Sequence, residues 1–455
     1  MNVTPLRPLN IAVIGSGISG LSCAWLLNKQ HKVTLIEALD RAGGHSNTVN
    51  VDDANGPVPI DTGFIVFNPV NYPNLVKFFE HLSVPSVATS MTFGVSIDEG
   101  KLEYSGSDLN GMFAQRSNLF KPRFWQLLRE ILKFYKHSDA YAIEAELEGL
   151  SLGELLEKHG YSKTFVYEHL LPMGAAIWST PIEKMLMYPA LTFLRFCANH
   201  GLVQVDDRPQ WRTVVGGSRV YVDKILSEFE PNQIILNQHV AKVIRKDGRV
   251  IIENIHGEQR QFDHVVFACH SDQALAMLDK PSADEKRLLS RFPYQRNLAI
   301  LHTDAALMPK RKKAWCAWNY LASGSQATQR QLCVTYWMNE LQPLNTDTQY
   351  FVTLNPIKEP APGSIKASFL YDHPAFDETS VAAQPELWKL QGQQNTWFCG
   401  AYFGYGFHED GIQSGLAVAE QLGGMKRPWS LDNPNTRIFV GPNPLKAQNP
   451  EKLSA

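Results

Sequence analysis

The chain has 455 residues, too many for one ordinary hydrophobic core, so two or three domains are expected. Hydrophobic residues make up 44% and charged residues 19%, ordinary globular values that argue against long disorder and against a membrane-spanning protein. Lys plus Arg number 43 against 45 for Asp plus Glu; the net charge of −2 provides no whole-molecule field for nucleic acid, and no nucleic-acid partner is expected.

The six cysteines (Cys23, Cys197, Cys269, Cys316, Cys333, Cys399) have no CxxC spacing, which predicts buried free thiols, no metal site and a reducing, cytoplasmic setting. Residues 1–10 lack a basic segment followed by an apolar core, so no signal peptide is expected.

Asn10-Ile-Ala-Val-Ile-Gly15 is a short apolar run ending in glycine, the pattern of a buried parallel strand. Leu21 to Gln30 follows as a helix and Lys32-Val-Thr-Leu-Ile-Glu37 as a second buried strand, making one β-α-β unit. The connection is Gly15-Ser16-Gly17-Ile18-Ser19-Gly20, a GxGxxG pattern directly after a strand and opening a helix. Gly15 permits the tight turn, Gly17 lets backbone approach a pyrophosphate, and Gly20 lets helix and strand pack closely. Unpaired N–H groups at the helix start add a positive end for the phosphates. Glu37, 17 residues after Gly20 and followed by Ala38, stands where a carboxylate accepts ribose hydroxyl protons. A dinucleotide site is predicted. Arg41-Ala42-Gly43-Gly44-His45 supplies a second glycine turn, which a longer dinucleotide requires, and this favours FAD over NAD.

From Tyr72 to Gly201 the pattern changes to aromatic-rich helical stretches, including Phe120 to His137 and Ser151 to His159, which predicts an inserted domain. The stretch 120–136 gathers Phe124, Leu128, Ile131 or Leu132 and Tyr135 near one face. Lys121, Arg123, Arg129, Lys133 and Lys136 make the rest basic, with Glu130 the only acid. Two readings stay open: a helix lying on an anionic membrane surface, and a domain helix whose basic side faces water. Met185 to Cys197 is apolar but interrupted by Pro189 and Arg195, and is shorter than the roughly 20 residues of a membrane span. Strands are predicted at Gln233 to Val243, Val250 to Glu253 and His264 to Cys269, re-entering the first sheet. Further strands are expected at Leu298 to His302, Leu332 to Trp337, Tyr350 to Leu354 and Trp397 to Gly400.

After Glu37 the sequence resembles the flavin-containing amine oxidase and phytoene desaturase superfamily, whose members carry an Arg-x-Gly-Gly-Arg turn at this point; here His45 replaces the last arginine. Histidine can still donate to a phosphate or flavin oxygen. Asp61-Thr62-Gly63-Phe64 matches the superfamily's Asp-x-Gly segment. Val215-Gly216-Gly217-Ser218 looks like its central Gly-Gly turn, and Val240 to Val243 like the strand beside the adenine. The run from Phe398 through Gly400, Ala401, Gly404, Gly406, His408, Glu409, Asp410 and Gly411 resembles the flavin-closing motif. Relatives hold the ribityl chain with an acid where this chain has Ala401, so that contact is expected from Glu409, Asp410 or backbone.

The resemblance implies an α/β fold, a GxGxxG FAD-binding Rossmann-like domain with an interwoven α+β substrate domain. Residues 9–70, 205–285 and 391–425 would bind FAD non-covalently, 71–204 and 286–390 would form the substrate domain, and 426–455 a C-terminal tail. Gly-Tyr-Gly-Phe-His-Glu-Asp-Gly, with Ala176 to Pro181 and Arg208 to Arg212, is similar to bacterial flavoproteins that accompany cyclopropane-fatty-acid-synthase-like methyltransferases. That likeness implies an FAD-dependent oxidoreductase acting on an apolar, fatty-acyl substrate by hydride removal or double-bond rearrangement. It also implies a lipid methyltransferase as partner and, through 120–136, a place at the inner face of the membrane. A flavin amine oxidase and a non-catalytic flavin-bound partner of the methyltransferase are the alternatives. Amine oxidases often carry a lysine on the strand matched by Tyr294 to His302, and no lysine lies there. His408 and His302 are the weak candidates for a catalytic group, His408 reading equally well as structural.

Overall fold

The computed structural model describes residues 7–178, 182–199, 201–204, 208–324 and 331–447. A five-stranded, wholly parallel sheet runs in the order Ile234–Ile235, Lys32–Ile36, Asn10–Ile14, His264–Phe267, Thr396–Phe398. The helix Ile18–Leu27 covers the central strand, and all ten of its residues are buried. It is apolar all round because the helix His408–Gly423 packs on its other side. Glycine sets that approach: a Cβ on Gly415 would lie 2.3 Å from Ser19 O, and one on Gly411 2.8 Å from Ile18 Cγ2.

The expected strand Gln233 to Val243 is two strands. Ile234–Ile235 joins the parallel sheet, whereas Val240–Lys246 begins an antiparallel meander with Arg249–Asn254 and Gln259–Phe262. Asn237, at φ 54°, makes the break in a left-handed conformation that asparagine tolerates. Val250 to Glu253 therefore does not re-enter the first sheet.

A second, mixed sheet of seven strands has the order Ile365–Pro374, Tyr294–His302, Phe351–Leu354, Gln331–Trp337, Trp318–Ser323, Phe93–Ile97, Leu102–Ser105. Helices accompany it, foremost Pro122–Glu148 of 27 residues. Phe124, Leu127, Ile131, Phe134, Ser138, Tyr141 and Ala145 form its buried side, and left-handed Gly149 ends it. Ser151 caps Leu152–Lys158 through a reciprocal pair with Glu154. Pro189 divides the apolar 185–197 stretch, which lies on the separate helices Ile182–Leu186 and Ala190–Asn199. Of the 176–181 motif, residues 179–181 lie outside the described residues.

The small sheet of Val66–Phe67, Trp211–Val214 and Ser86–Thr89 pairs segments that the sequence reading assigned to different domains. Residues 426–447 are packed on the molecule: Arg427 pairs with Glu420, and Arg437 with Asp410. Among the described residues no helix is long and apolar enough to cross a membrane.

Candidate flavin site

The first glycine turn leaves the central strand with Gly15 at φ +102°, where a Cβ would stand 2.7 Å from Ala268 O. A Cβ on Gly20 would stand 1.9 Å from Gly15 O, so the helix can lie this close only with glycine there. No side chain caps the helix at Gly17; its first N–H groups are left for a ligand. Glu37 is drawn to this turn: its carboxylate accepts from Ser16 N at 2.9 Å, from Ser16 Oγ, and from Leu39 N at 3.0 Å. In the second turn Arg41 donates to Gly44 O at 2.9 Å. Gly44 and Gly17 meet, a Cβ on Gly44 being 3.0 Å from Gly17 Cα.

Asp61 ties the third segment to the fourth. Buried, it accepts from Thr48 Oγ1 at 2.6 Å, Ser218 N at 2.9 Å, Ser218 Oγ at 2.8 Å and Gln342 Nε2 at 3.1 Å. Burial pushes its carboxyl up to about 6. The Gly216-Gly217 turn thus fixes the start of the helix Arg219–Leu226, which carries Tyr221. The Tyr221 hydroxyl lies 3.1 Å from His408 Nε2, and Ser46 Oγ lies 3.0 Å from the same atom. The His408 ring stacks on Phe64 with centroids 3.7 Å apart, and burial drives its pKa down to about 3. It is a neutral ring held on three sides.

These segments surround a cavity of about 2120 Å³, well above the roughly 300–1,000 Å³ of ordinary ligand pockets. Gly15, Ser16, Gly17, Ile18, Ser19, Glu37, Ala38, Arg41, Gly44 and His45 line one end, with Thr62, Gly63, Phe64, Val240, Gly400, Ala401 and His408. Glycine turns, an uncapped helix start and this volume fit FAD with room to spare. Gly20, Gly43, Gly216, Gly217 and Gly411 do not line the cavity; they hold the turns and helices that do.

Two expectations need correction. Glu409 accepts from Asn74 N, Asn74 Nδ2, Leu75 N and Gln413 Nε2, capping the helix Pro73–His81. Asp410 pairs with buried Arg437 at 2.7 Å and accepts from Phe407 N. Neither acid lines the cavity, whereas Gly400, Ala401, Tyr405, Gly406 and His408 of the same motif do. His302 is fully buried in the large sheet, bonded to Thr353 Oγ1 at 2.8 Å and to Asp304 N at 3.1 Å; it does not line the cavity and is structural.

Residues 18–340 match the family described as flavin containing amine oxidoreductase. The chain belongs to this family. FAD is the cofactor. The chain is 28% identical over 301 residues to 15-cis-phytoene desaturase of Arabidopsis thaliana, covering 61% of this chain and 50% of that protein. It is 24% identical over 297 residues to flavin-containing amine oxidase A of Canis lupus familiaris, covering 62% and 54%. The chain thus spans about half the length of the curated relatives it matches. Its fold is shared with a CLA-producing fatty acid isomerase from P. acnes, at TM-score 0.62 and 15% identity over 90% of this chain and 98% of that one. It is equally shared with cyclohexylamine oxidase of Brevibacterium oxydans, at TM-score 0.65 and 15% identity over 91% and 100%.

The flavoprotein also lines its cavity with residues the sequence reading missed: His270, Tyr371 and His373. The His45 ring stacks on Tyr371 at 5.0 Å and lies 5.1 Å from His373, while His270 stacks on Tyr294 at 4.1 Å. Burial lowers the pKa of all three histidines, His373 to about 4, so the group is neutral near pH 7. His45 Nε2 is buried with no hydrogen-bond partner. His270 had a readable signal, since it follows a strand of the parallel sheet at its carboxyl end, where such sheets bind ligands. His373 lies on a strand of the other sheet and had none.

Proposed function

We propose that this flavoprotein is an oxidoreductase acting on a fatty-acyl chain, by hydride removal or double-bond rearrangement. The observation carrying this reading is the aromatic and aliphatic lining the cavity has beyond the glycine turns, which includes Phe93, Tyr104, Phe113, Leu128, Tyr135 and Met173. An extended hydrocarbon is desolvated along such a wall, at about 0.8 kcal/mol per buried CH₂. Bound FAD supplies the two-electron acceptor. The chain's own residues bind the hydrocarbon and exclude water, and His45 Nε2 is an unengaged atom at which a proton can be held.

An amine finds less here. Among the described residues no lysine lines the cavity. Each lining carboxylate is engaged: Glu37 by Ser16, Asp108 by Gly111 N, and Asp372 by Arg296. Only Asp372 has its charge met by a cation, so an amine would find Glu37 at the first glycine turn and exposed Asp108 as its counter-charges.

The test is anaerobic bleaching of the bound flavin by long-chain fatty acids and acyl esters against primary amines, with product lipids identified by mass spectrometry. Bleaching, or a shifted double bond, with acyl chains alone is expected. Bleaching by amines alone would make the protein an amine oxidase. No response to either, with a lipid methyltransferase co-purifying, would make it a non-catalytic partner.

A further inference from the structure

The helix Pro122–Glu148 has an apolar stripe on the side facing away from the core. Opposite its buried residues, at helical spacing, stand Trp125, Arg129, Leu132, Lys136, Asp139, Ile143 and Leu147. Trp125, Leu132, Ile143 and Leu147 are 51%, 56%, 62% and 81% exposed. A surface helix normally turns polar residues outward, so four large apolar side chains on its outer side between residues 125 and 147, with charges interspersed, mark a contact surface.

The helix is also divided by charge. Its first part and lead-in carry Lys121, Arg123, Arg129, Lys133 and Lys136 against Glu130 alone. From residue 139 onward it carries Asp139, Glu144, Glu146 and Glu148 with no Lys or Arg.

We propose that this stripe is the contact with a second copy of the chain, the two helices lying antiparallel about a twofold axis that passes between residues 137 and 138. In that register Leu132 faces Ile143 of the second copy. Lys136 faces Asp139 of the second copy, and Arg129 faces its Glu146. Every pair occurs twice by symmetry, so one helix supplies both halves of a self-complementary surface. Arg129, Lys136 and Asp139 make no ion pair within the chain among the described residues, and Glu146 is held only by exposed Arg195. A lipid surface fits less well, because an anionic bilayer would repel the acidic half of the helix while attracting the basic half. Trp125, Arg129 and Leu132 also line the cavity, so the second copy would shelter its opening.

Sedimentation velocity of the FAD-loaded full chain over a range of concentrations tests this independently of the substrate. A concentration-dependent dimer is expected. Lys136→Asp, which sets like charges against each other twice, should raise the dissociation constant about tenfold or more. The double exchange Lys136→Asp with Asp139→Lys should return it to within about threefold of wild type, and retained FAD will show that each variant is folded. Wild type monomeric throughout, or a dimer indifferent to Lys136→Asp, would overturn the proposal. A monomer that sediments with anionic phosphatidylglycerol vesicles but not with neutral phosphatidylcholine would assign the stripe to lipid instead.

Discussion

Removal of the Glu37 carboxylate separates holding the turn from binding the ligand. The carboxylate accepts from Ser16 N, Ser16 Oγ and Leu39 N. Ser16 is buried, so in Glu37→Ala its N–H loses its partner where water is scarce, at a cost of about 1–3 kcal/mol to the apoprotein. Leu39 is 49% exposed, and water replaces its lost acceptor at little cost. If the same carboxylate also accepts from the FAD ribose, affinity falls by a further 1–3 kcal/mol, about 5- to 150-fold in dissociation constant. The assay is equilibrium titration of apoprotein with FAD by flavin fluorescence, beside thermal unfolding of the same apoprotein. Glu37→Ala should lower both. Unfolding at lower temperature with FAD affinity unchanged would refute the ribose assignment and leave Glu37 a bracket for Ser16.

Arg437→Leu leaves Asp410 buried without its cation and should cost about 3–5 kcal/mol in denaturant unfolding; a loss below about 1 kcal/mol would mean that the pair does not hold the flavin-closing helix. His408 should shape the acid side of the stability curve. Its folded pKa of about 3 lies below the ordinary 6.5, so below pH 6.5 the unfolded chain takes up a proton that the folded one refuses. Its contribution is complete above pH 6.5 and is lost toward pH 3, at about 1.4 kcal/mol per pH unit. His408→Gln, with FAD retained, should flatten the slope between about pH 6 and 4 by roughly one proton, and an unaltered slope would count against a neutral buried ring.

The contiguous parts of the site were legible because their physics is local. A strand, three glycines and a helix start are set by backbone sterics within a few residues, and Glu37 is only 21 residues from Ser16. Glu409 and Asp410 misled for the opposite reason. Their position in the flavin-closing run suggested ligand contacts, but their partners, Asn74 and Arg437, lie 335 and 27 residues away. A carboxylate between glycines reads alike whether it faces ligand or protein. The single strand expected at Gln233 to Val243 failed because hydrophobic alternation does not register one left-handed residue, Asn237. The long helix was cut short at His137 because its later turns intersperse four acids with small residues, while the buried positions that continue it, Ser138, Tyr141 and Ala145, are too small or too polar to announce a core face.

The replacement of arginine by His45 becomes intelligible beside its neighbours. Arg41 already stands in the same turn with its pKa lowered by burial, and Arg219 adds to that lowering. A second guanidinium at 45 would be buried among Tyr371, His373, His270 and His408 without a free carboxylate to meet it. Burying an unpaired charge costs several kcal/mol, whereas an imidazole escapes the cost by staying neutral. Four histidines from four separate segments, all lining the cavity, make the same choice. Arg41 is then the permanent positive charge that this turn contributes to the cavity lining, and the histidines beside it add none.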